Sequence, residues 1–249
     1  MLPNLLLLLM PPAITLPPPQ APAPQTPSID QLIARNIEAR GGLAALRAVQ
    51  TRRSTGVMSG VAPFDIPFTI EQKRPGFFRR DLTIQGTAQI MVFDGKGGWK
   101  VDPFATGDAK PQPLTPDEVE DLIEDADMDG CLVDWAAKGD KVEYAGEDTL
   151  VGGPAYKLKV TFANGRVSTI FLDAKSYQEV KRIVTRKQMG QDVEMEVFTG
   201  DYRPIQGVSE PFSIDIAPKG SPQRMHLAMQ KVEVNVPIDG ADFHLPAPR

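Results

Sequence analysis

Oxygen ligands are the first residues in this chain whose spacing suggests chemistry. Asp125-Ala-Asp-Met-Asp-Gly130 sets carboxylates at positions one, three and five of a loop and a glycine at six, as calcium-binding loops begin. Position eight is apolar Leu132, which such loops prefer, but position twelve is Ala136 where a bidentate Glu should complete the coordination sphere. The segment therefore reads as an acidic helix end followed by a glycine-bearing turn, and no metal is expected. Cys131, the only cysteine, comes next. A nucleophilic thiolate needs a base to take its proton, and His226 and His244, the only histidines, are distant in sequence. Cys131 reads as a buried, inert side chain. One cysteine supports neither a disulfide framework nor a thiolate metal site.

The remaining candidates are weaker. Gly95-Lys-Gly-Gly98 stands between two strand-like runs and not before a helix, so it reads as a hairpin turn and not a phosphate cradle. No G-x-S-x-G, H-E-x-x-H or P-loop spacing occurs. Glu194 and Glu196 share one strand face and read as solvent charges. With no complete nucleophile–base or metal constellation, the sequence points away from an enzyme and calls for no cofactor. Met58, Met91, Met195, Met225 and Met229 all fall in strand-like runs. Their flexible thioethers suit ordinary core filling or the wall of a pocket for acyl chains.

The elements that must position these residues are mainly strands. Alternating runs cover residues 53–61, 64–73, 77–84, 88–93 and 98–101, and seven or so more follow from Val142 to Val236. Asn164-Gly165 between two alternating runs is the strongest hairpin signal, because both turn residues must take positive φ. With those two residues as the loop, Phe162 pairs with Val167, Val160 with Thr169 and Leu158 with Phe171. Leu158, Val160 and Phe171 then share one apolar face, and Lys157, Lys159, Thr161 and Ser168 take the other. Met225, Leu227 and Met229 alternate in one phase and Val232, Val234 and Val236 in the other, which predicts a bulge near Gln230-Lys231. Helices are few. Ser28-Ile-Asp-Gln31 is a capping box ahead of Ile29, Leu32, Ile33 and Ile37 on one face, and Gly41-Gly42 ends that helix. Residues 43–49 add a short helical piece. Thr115, Pro116 and Glu118 open a second capped helix with Val119, Leu122, Ile123 and Ala126 on its apolar face. Residues 132–137 can form another turn or two.

A net charge of -5 argues against a nucleic-acid binder and against tight docking on an anionic membrane. Leu5 to Leu9 with Met10 is too short to span a bilayer. It runs into a Pro-rich stretch holding a small-x-small site, Ala21-Pro-Ala23, so residues 1–27 read as a signal peptide and tether, or as a plain Pro-rich tail. Residues 28–249 read as one domain, with a monomer expected.

Several landmarks recur in order along those residues. They are Ile37-Glu-Ala-Arg-Gly-Gly-Leu43, Phe93-Asp-Gly-Lys-Gly-Gly-Trp99, Asp127-Met-Asp-Gly-Cys-Leu132 and the run from Gly146 through Tyr156. Tyr202-Arg-Pro-Ile-Gln-Gly-Val-Ser-Glu-Pro-Phe212 and Asn235-Val-Pro-Ile-Asp-Gly-Ala-Asp-Phe243 with Pro246 complete the set. Through them the chain resembles the LolA-like family of exported lipoprotein-sorting and lipid-carrier proteins, and within it the divergent members more than the lipoprotein carrier itself. The resemblance implies a mainly β fold with helical cover (α+β). A strongly curved antiparallel sheet forms an unclosed barrel, and the N-terminal helix and a helical insertion (residues 115–137) cover its concave side. It implies a non-catalytic periplasmic carrier or binder of lipid or lipoprotein acyl chains. The expected ligand-binding residues are Phe68, Ile70, Leu82, Met91, Leu122, Leu158, Val160 and Phe171. The alternative is an envelope sensor or adaptor that grips a protein partner with the same fold. If the insertion is a lid, Val119, Leu122 and Ile123 point inward, and Leu122→Asp opens it while the sheet stays folded.

Overall fold

A computed structural model describes residues 27–188 and 191–245; the expected leader, the tether up to residue 26 and Pro246 lie outside the described residues. Two helices, α1 (Ile29–Ala39) and α2 (Leu43–Ala48), precede strands β1 (Thr51–Ser59), β2 (Ile66–Lys73), β3 (Phe77–Ile84), β4 (Thr87–Phe93) and β5 (Gly98–Val101). A helical turn α3 (Pro103–Thr106), the short β6 (Gln112–Pro113) and helix α4 (Pro116–Ala126) follow. The chain then runs through β7 (Lys141–Leu150), β8 (Gly153–Thr161), β9 (Val167–Asp173), β10 (Glu179–Gln188), β11 (Gln191–Ile205), β12 (Val208–Pro218) and β13 (Met225–Val234).

All thirteen strands belong to one sheet in the order β6-β5-β4-β3-β2-β1-β13-β12-β11-β10-β9-β8-β7, with every pairing antiparallel. The outermost strands β6 and β7 do not pair with each other, so the barrel is unclosed. A sheet this wide curls rather than staying flat. Its two halves meet where β1 pairs with β13. The register there steps from Thr55↔Lys231 to Gly56↔Met229, which makes Gln230 the extra residue of the expected bulge. The bulge restores phase, so Met225, Leu227, Met229, Val232 and Val234 all share a face.

The β8–β9 hairpin departs from expectation by one residue. Thr161 pairs with Val167, Val160 with Ser168 and Leu158 with Ile170, and Phe171 lies opposite Lys157. The loop is five residues long, closed by Phe162 N–H to Arg166 O at 2.9 Å and Gly165 N–H to Phe162 O at 2.8 Å. One residue of slip inverts a face. Phe171 is therefore on the side opposite Leu158 and Val160, buried beneath the Lys181 ammonium, which lies 5.3 Å from its ring centroid.

Helices α1, α2 and α4 cover the concave face. Leu32 and Ile33 of α1 pack with Cys131 and Leu132 on Val142, Leu158, Val160, Ile170 and Leu172. Leu122 and Ala126 of α4 pack on Phe78 and Phe93. Both capping boxes form. Ser28 and Gln31 exchange hydrogen bonds at 2.9 and 3.2 Å, and Thr115 and Glu118 do so at 2.9 and 3.3 Å. Beyond α4, residues 127–139 run mainly as turns, which also pack inward: Met128 and Val133 join Leu46, Val49, Val208 and Val234. On the convex side the C-terminal segment lays Ile238 and Phe243 over Val92, Trp99 and Val101.

Candidate functional site

Strand register settles where the expected ligand-binding residues sit. Phe68 faces Leu82, while Ile70 and Met91 both pair with Arg80, so these four share one face. The same face continues through Gly56, Met229, Leu227, Ile214 and Ile216 to Val197, Arg182, Ile170 and Leu158. Phe68, Ile70, Leu82, Met91, Leu158 and Val160 thus lie together on the concave side, and Leu122 points at them from α4. Phe171 alone does not. Leu158 and Val160 are fully buried under α1, and Leu122 is only 3% exposed. Phe68 and Leu82 belong to a cluster with Met58, Ile66 and Leu227 to which no helix contributes.

Among the described residues two larger open spaces lie elsewhere, and α4 forms a wall of both. The larger is a cleft of about 660 Å³ at the end of the half-barrel. It is bounded by the β2–β3 turn (Pro75–Phe77), the β4–β5 turn (Phe93–Lys96), α4 and the tip of the β8–β9 hairpin (Phe162–Asn164). Phe77, Phe93, Ala126 and Phe162 supply apolar wall. Ile123, expected to point into the barrel, turns outward into this cleft and is 52% exposed. The apolar stripe of α4 is therefore split, with Leu122 in the core and Ile123 on the cleft. Asp94, Lys96, Glu120 and Asp140 stand around the cleft as charges. Helical periodicity did not separate Leu122 from Ile123, because adjacent positions 100° apart can both fall within one broad apolar stripe.

The polar face of α4 is tied to the far half of the sheet. Arg166 holds Asp121 at 2.8 Å and Glu124 at 3.4 Å, and Arg186 holds Asp121 at 3.2 Å and Asp125 at 3.1 Å. The helix thus straps the two arms of the open barrel, with apolar contacts to β3 and β4 and ion pairs to the β9–β10 side. Among the described residues Glu124 Oε2 has no hydrogen-bond partner, and burial raises the pKa of this carboxyl despite Arg186 and Arg166.

The second space, about 330 Å³, is a charged chamber on the concave side. It lies between the end of α1, residues 127–132 and strands β10–β12. Arg40, Arg52, Arg182 and Arg186 line it with Glu124, Glu179, Glu210 and Tyr202. Arg182 and Glu179 form two hydrogen bonds at 2.9 and 2.7 Å, and Arg52 meets Glu210 at 2.7 Å. Tyr202 donates to the Glu179 carbonyl at 2.6 Å, and burial raises its pKa. Nothing in the sequence pattern announced this chamber: its residues come from six separate elements, and single arginines in strands ordinarily read as solvent charges.

The acidic loop resolves into internal pairs. Asp129 accepts from both terminal nitrogens of Arg74 at 2.6 Å, Asp127 meets Lys138 at 2.6 Å and Asp125 meets Arg186. Burial pushes the Cys131 thiol up to about 11. Among the described residues no group of three or more His, Cys, Asp or Glu is arranged to hold a metal, and no helix is long and apolar enough to cross a membrane.

No family model and no curated protein sequence matches this chain. Solved structures do. A LolA superfamily protein from Nitrosomonas europaea superposes with a TM-score of 0.58 at 10% identity, covering 88% of this chain and 99% of that one. A DUF1329 family protein from Desulfovibrio piger gives 0.56 at 13% identity, covering 88% and 98%. A domain from Vibrio parahaemolyticus assigned to outer membrane lipoprotein sorting gives 0.55 at 11% identity, covering 85% and 94%. The strand order, the unclosed sheet and the helices across its concave side make this the LolA-like fold.

Proposed function

We propose that the protein is a non-catalytic periplasmic carrier or binder of a lipid-like ligand whose acyl chain lies in the cleft at the end of the half-barrel. The observation that carries this reading is the cleft itself: about 660 Å³ with Phe77, Phe93, Ala126, Phe162 and outward-facing Ile123 in its wall. Its volume falls within the ~300–1,000 Å³ of small-molecule sites. Each methylene buried there contributes about 0.8 kcal/mol. The LolA-like fold supports the carrier role, and the apolar N-terminal segment supports export. The residues expected from sequence enter this reading differently. Leu122 is packed behind the cleft against Phe93, while Phe68 and Leu82 line the concave face farther along.

Organic extraction of purified protein followed by mass spectrometry, with titration of a fluorescent fatty acid, tests the proposal. A co-purifying lipid, and uptake that Ile123→Asp abolishes without lowering the melting temperature, is the expected result. Absence of both lipid and uptake overturns it. A co-purifying polypeptide in place of lipid would assign the cleft to the adaptor reading.

A further inference from the structure

We infer that the charged chamber is a second binding site, specific for a small oxyanion, a carboxylate or phosphate. Arg40 holds the anionic group. This site is separate in chemistry from the apolar cleft and stands whether or not that cleft carries a lipid.

The charges of the chamber do not balance at the α1 end. Arg40, Arg52 and Arg182 face Glu179 and Glu210, three guanidiniums against two carboxylates. Glu210 is taken by Arg52 and Glu179 by Arg182. Arg40 is left over. It donates to the Asp129 carbonyl, and among the described residues it forms no ion pair. Burial, with the neighbouring Arg52 charge, lowers its pKa below the ordinary arginine value. Glu179 and Glu210 act on Arg40 only from a distance, and an anion in the chamber would give this guanidinium a charge in contact. At the opposite end, by contrast, Glu124, Asp125 and Asp127 are met by Arg166, Arg186 and Lys138.

Two residues of the chamber wall also carry a polar atom with no partner among the described residues. Among the described residues Arg52 Nε has no acceptor and Gln178 Oε1 has no donor, although both atoms are buried. Gln178 is not free to turn, since its amide nitrogen is fixed by the Ala39 carbonyl at 2.7 Å and Ser209 Oγ at 3.1 Å. Neither of these two atoms is open to the chamber, so Arg40 is the group that presents a free guanidinium edge to an anion there. Guanidiniums suit carboxylate and phosphate because their planar fork matches two oxygens at once. At about 330 Å³, with this polar wall, the chamber takes a molecule of amino-acid or phosphate-ester size and not an acyl chain.

Arg40 is also held in place. Gly41 has φ +112°, and a Cβ there would stand 2.1 Å from the Gly207 carbonyl oxygen. The α1–α2 turn can therefore press directly on the β11–β12 turn, where Ser209 N–H donates to Arg40 O at 3.0 Å.

Calorimetric titration and thermal melts of the full chain test the site, with inorganic phosphate, glycerol 3-phosphate and a water-soluble short-chain phosphatidylglycerol as probes. Sodium chloride at matched ionic strength is the control. Phosphate or glycerol 3-phosphate should raise the melting temperature saturably where chloride does not. Arg40→Gln should weaken that binding by about tenfold or more, the scale of one charge-assisted hydrogen bond. Arg40→Lys, which keeps the charge, should bind better than the Gln variant. Binding of the free anions alone identifies a soluble ligand, and binding of the phospholipid as well identifies a headgroup. Melts in which no probe exceeds chloride overturn the inference, and so does a folded Arg40→Gln protein that binds as tightly as the parent.

Discussion

Asp129 receives hydrogen bonds from both terminal nitrogens of Arg74, and the Arg74 side chain also reaches the carbonyls of Leu46 and Val49. One guanidinium thereby joins the acidic loop, the end of α2 and the β2–β3 turn. The Arg74 hydrogen bonds, with burial opposing, hold the Asp129 carboxyl below the usual carboxylate range. A carboxylate with a lowered pKa in the folded state stabilises fully above its unfolded value and loses that contribution as pH falls through the folded one. Asp129→Asn is therefore expected to cost about 2 kcal/mol at neutral pH. The difference from the parent should hold from pH 8 to about pH 5 and shrink only in more acidic solution, below the unfolded carboxylate range. Urea melts of both proteins across that range check it. A cost that first appears above pH 6 would point to another group.

At the scale of the element, α4 presents two neighbouring apolar residues to two different surroundings. Leu122 is packed with Phe78, Phe93 and Ala126, whereas Ile123 stands in the cleft. Leu122→Asp, expected from sequence to open a lid above an intact sheet, now places a charge in a core contact. It should destabilise the protein by about 4 kcal/mol or more, the loss of a buried leucine plus an unpaired charge. Ile123→Asp should leave stability within about 0.5 kcal/mol, as surface changes do. Parallel denaturant melts separate the two, and equal losses would mean that α4 is not oriented as described. The ion pairs on the other face of the helix imply a further effect. Arg186→Ala should leave Asp121, Glu124 and Asp125 short of one partner and loosen the strap, seen as faster amide exchange in α4 than in β8 and β9. Unchanged exchange in α4 would show that the apolar contacts alone hold it.

Across the whole molecule, the seam between the two halves of the sheet is β1 against β13, residues far apart in the chain. Gly56 sits at the register step, where a Cβ would stand 2.1 Å from the Ala228 carbonyl oxygen and 2.9 Å from the Phe68 ring. Gly56→Ala must push backbone against backbone at the bulge, so a loss of about 3 kcal/mol is expected, at the upper end for overpacking. Because the seam joins every strand of one arm to every strand of the other, the loss should appear in a single cooperative transition. Calorimetry checks this, and a variant as stable as the parent would show that the seam relaxes freely.

Local periodicity and turn chemistry determined much of this protein by themselves: two capped helices, most of the strands, a bulge near Gln230-Lys231 and the burial of Cys131. Those features depend on residues close in the chain, where capping, alternation and φ preferences act directly. The hairpin register was missed because Asn164-Gly165 is only the middle of a five-residue loop, and one residue of slip exchanges Ile170 for Phe171 on the concave face. The LolA-like resemblance supplied the unclosed barrel and its helical cover, yet neither which sheet face is concave nor the space within it. Tertiary structure alone decided which strands α1 and α4 pack against, that Ile123 faces a cleft and that, among the described residues, Arg40 forms no ion pair. Cavities and charge balance are set by side chains from distant segments meeting in three dimensions, and no window along the chain contains them.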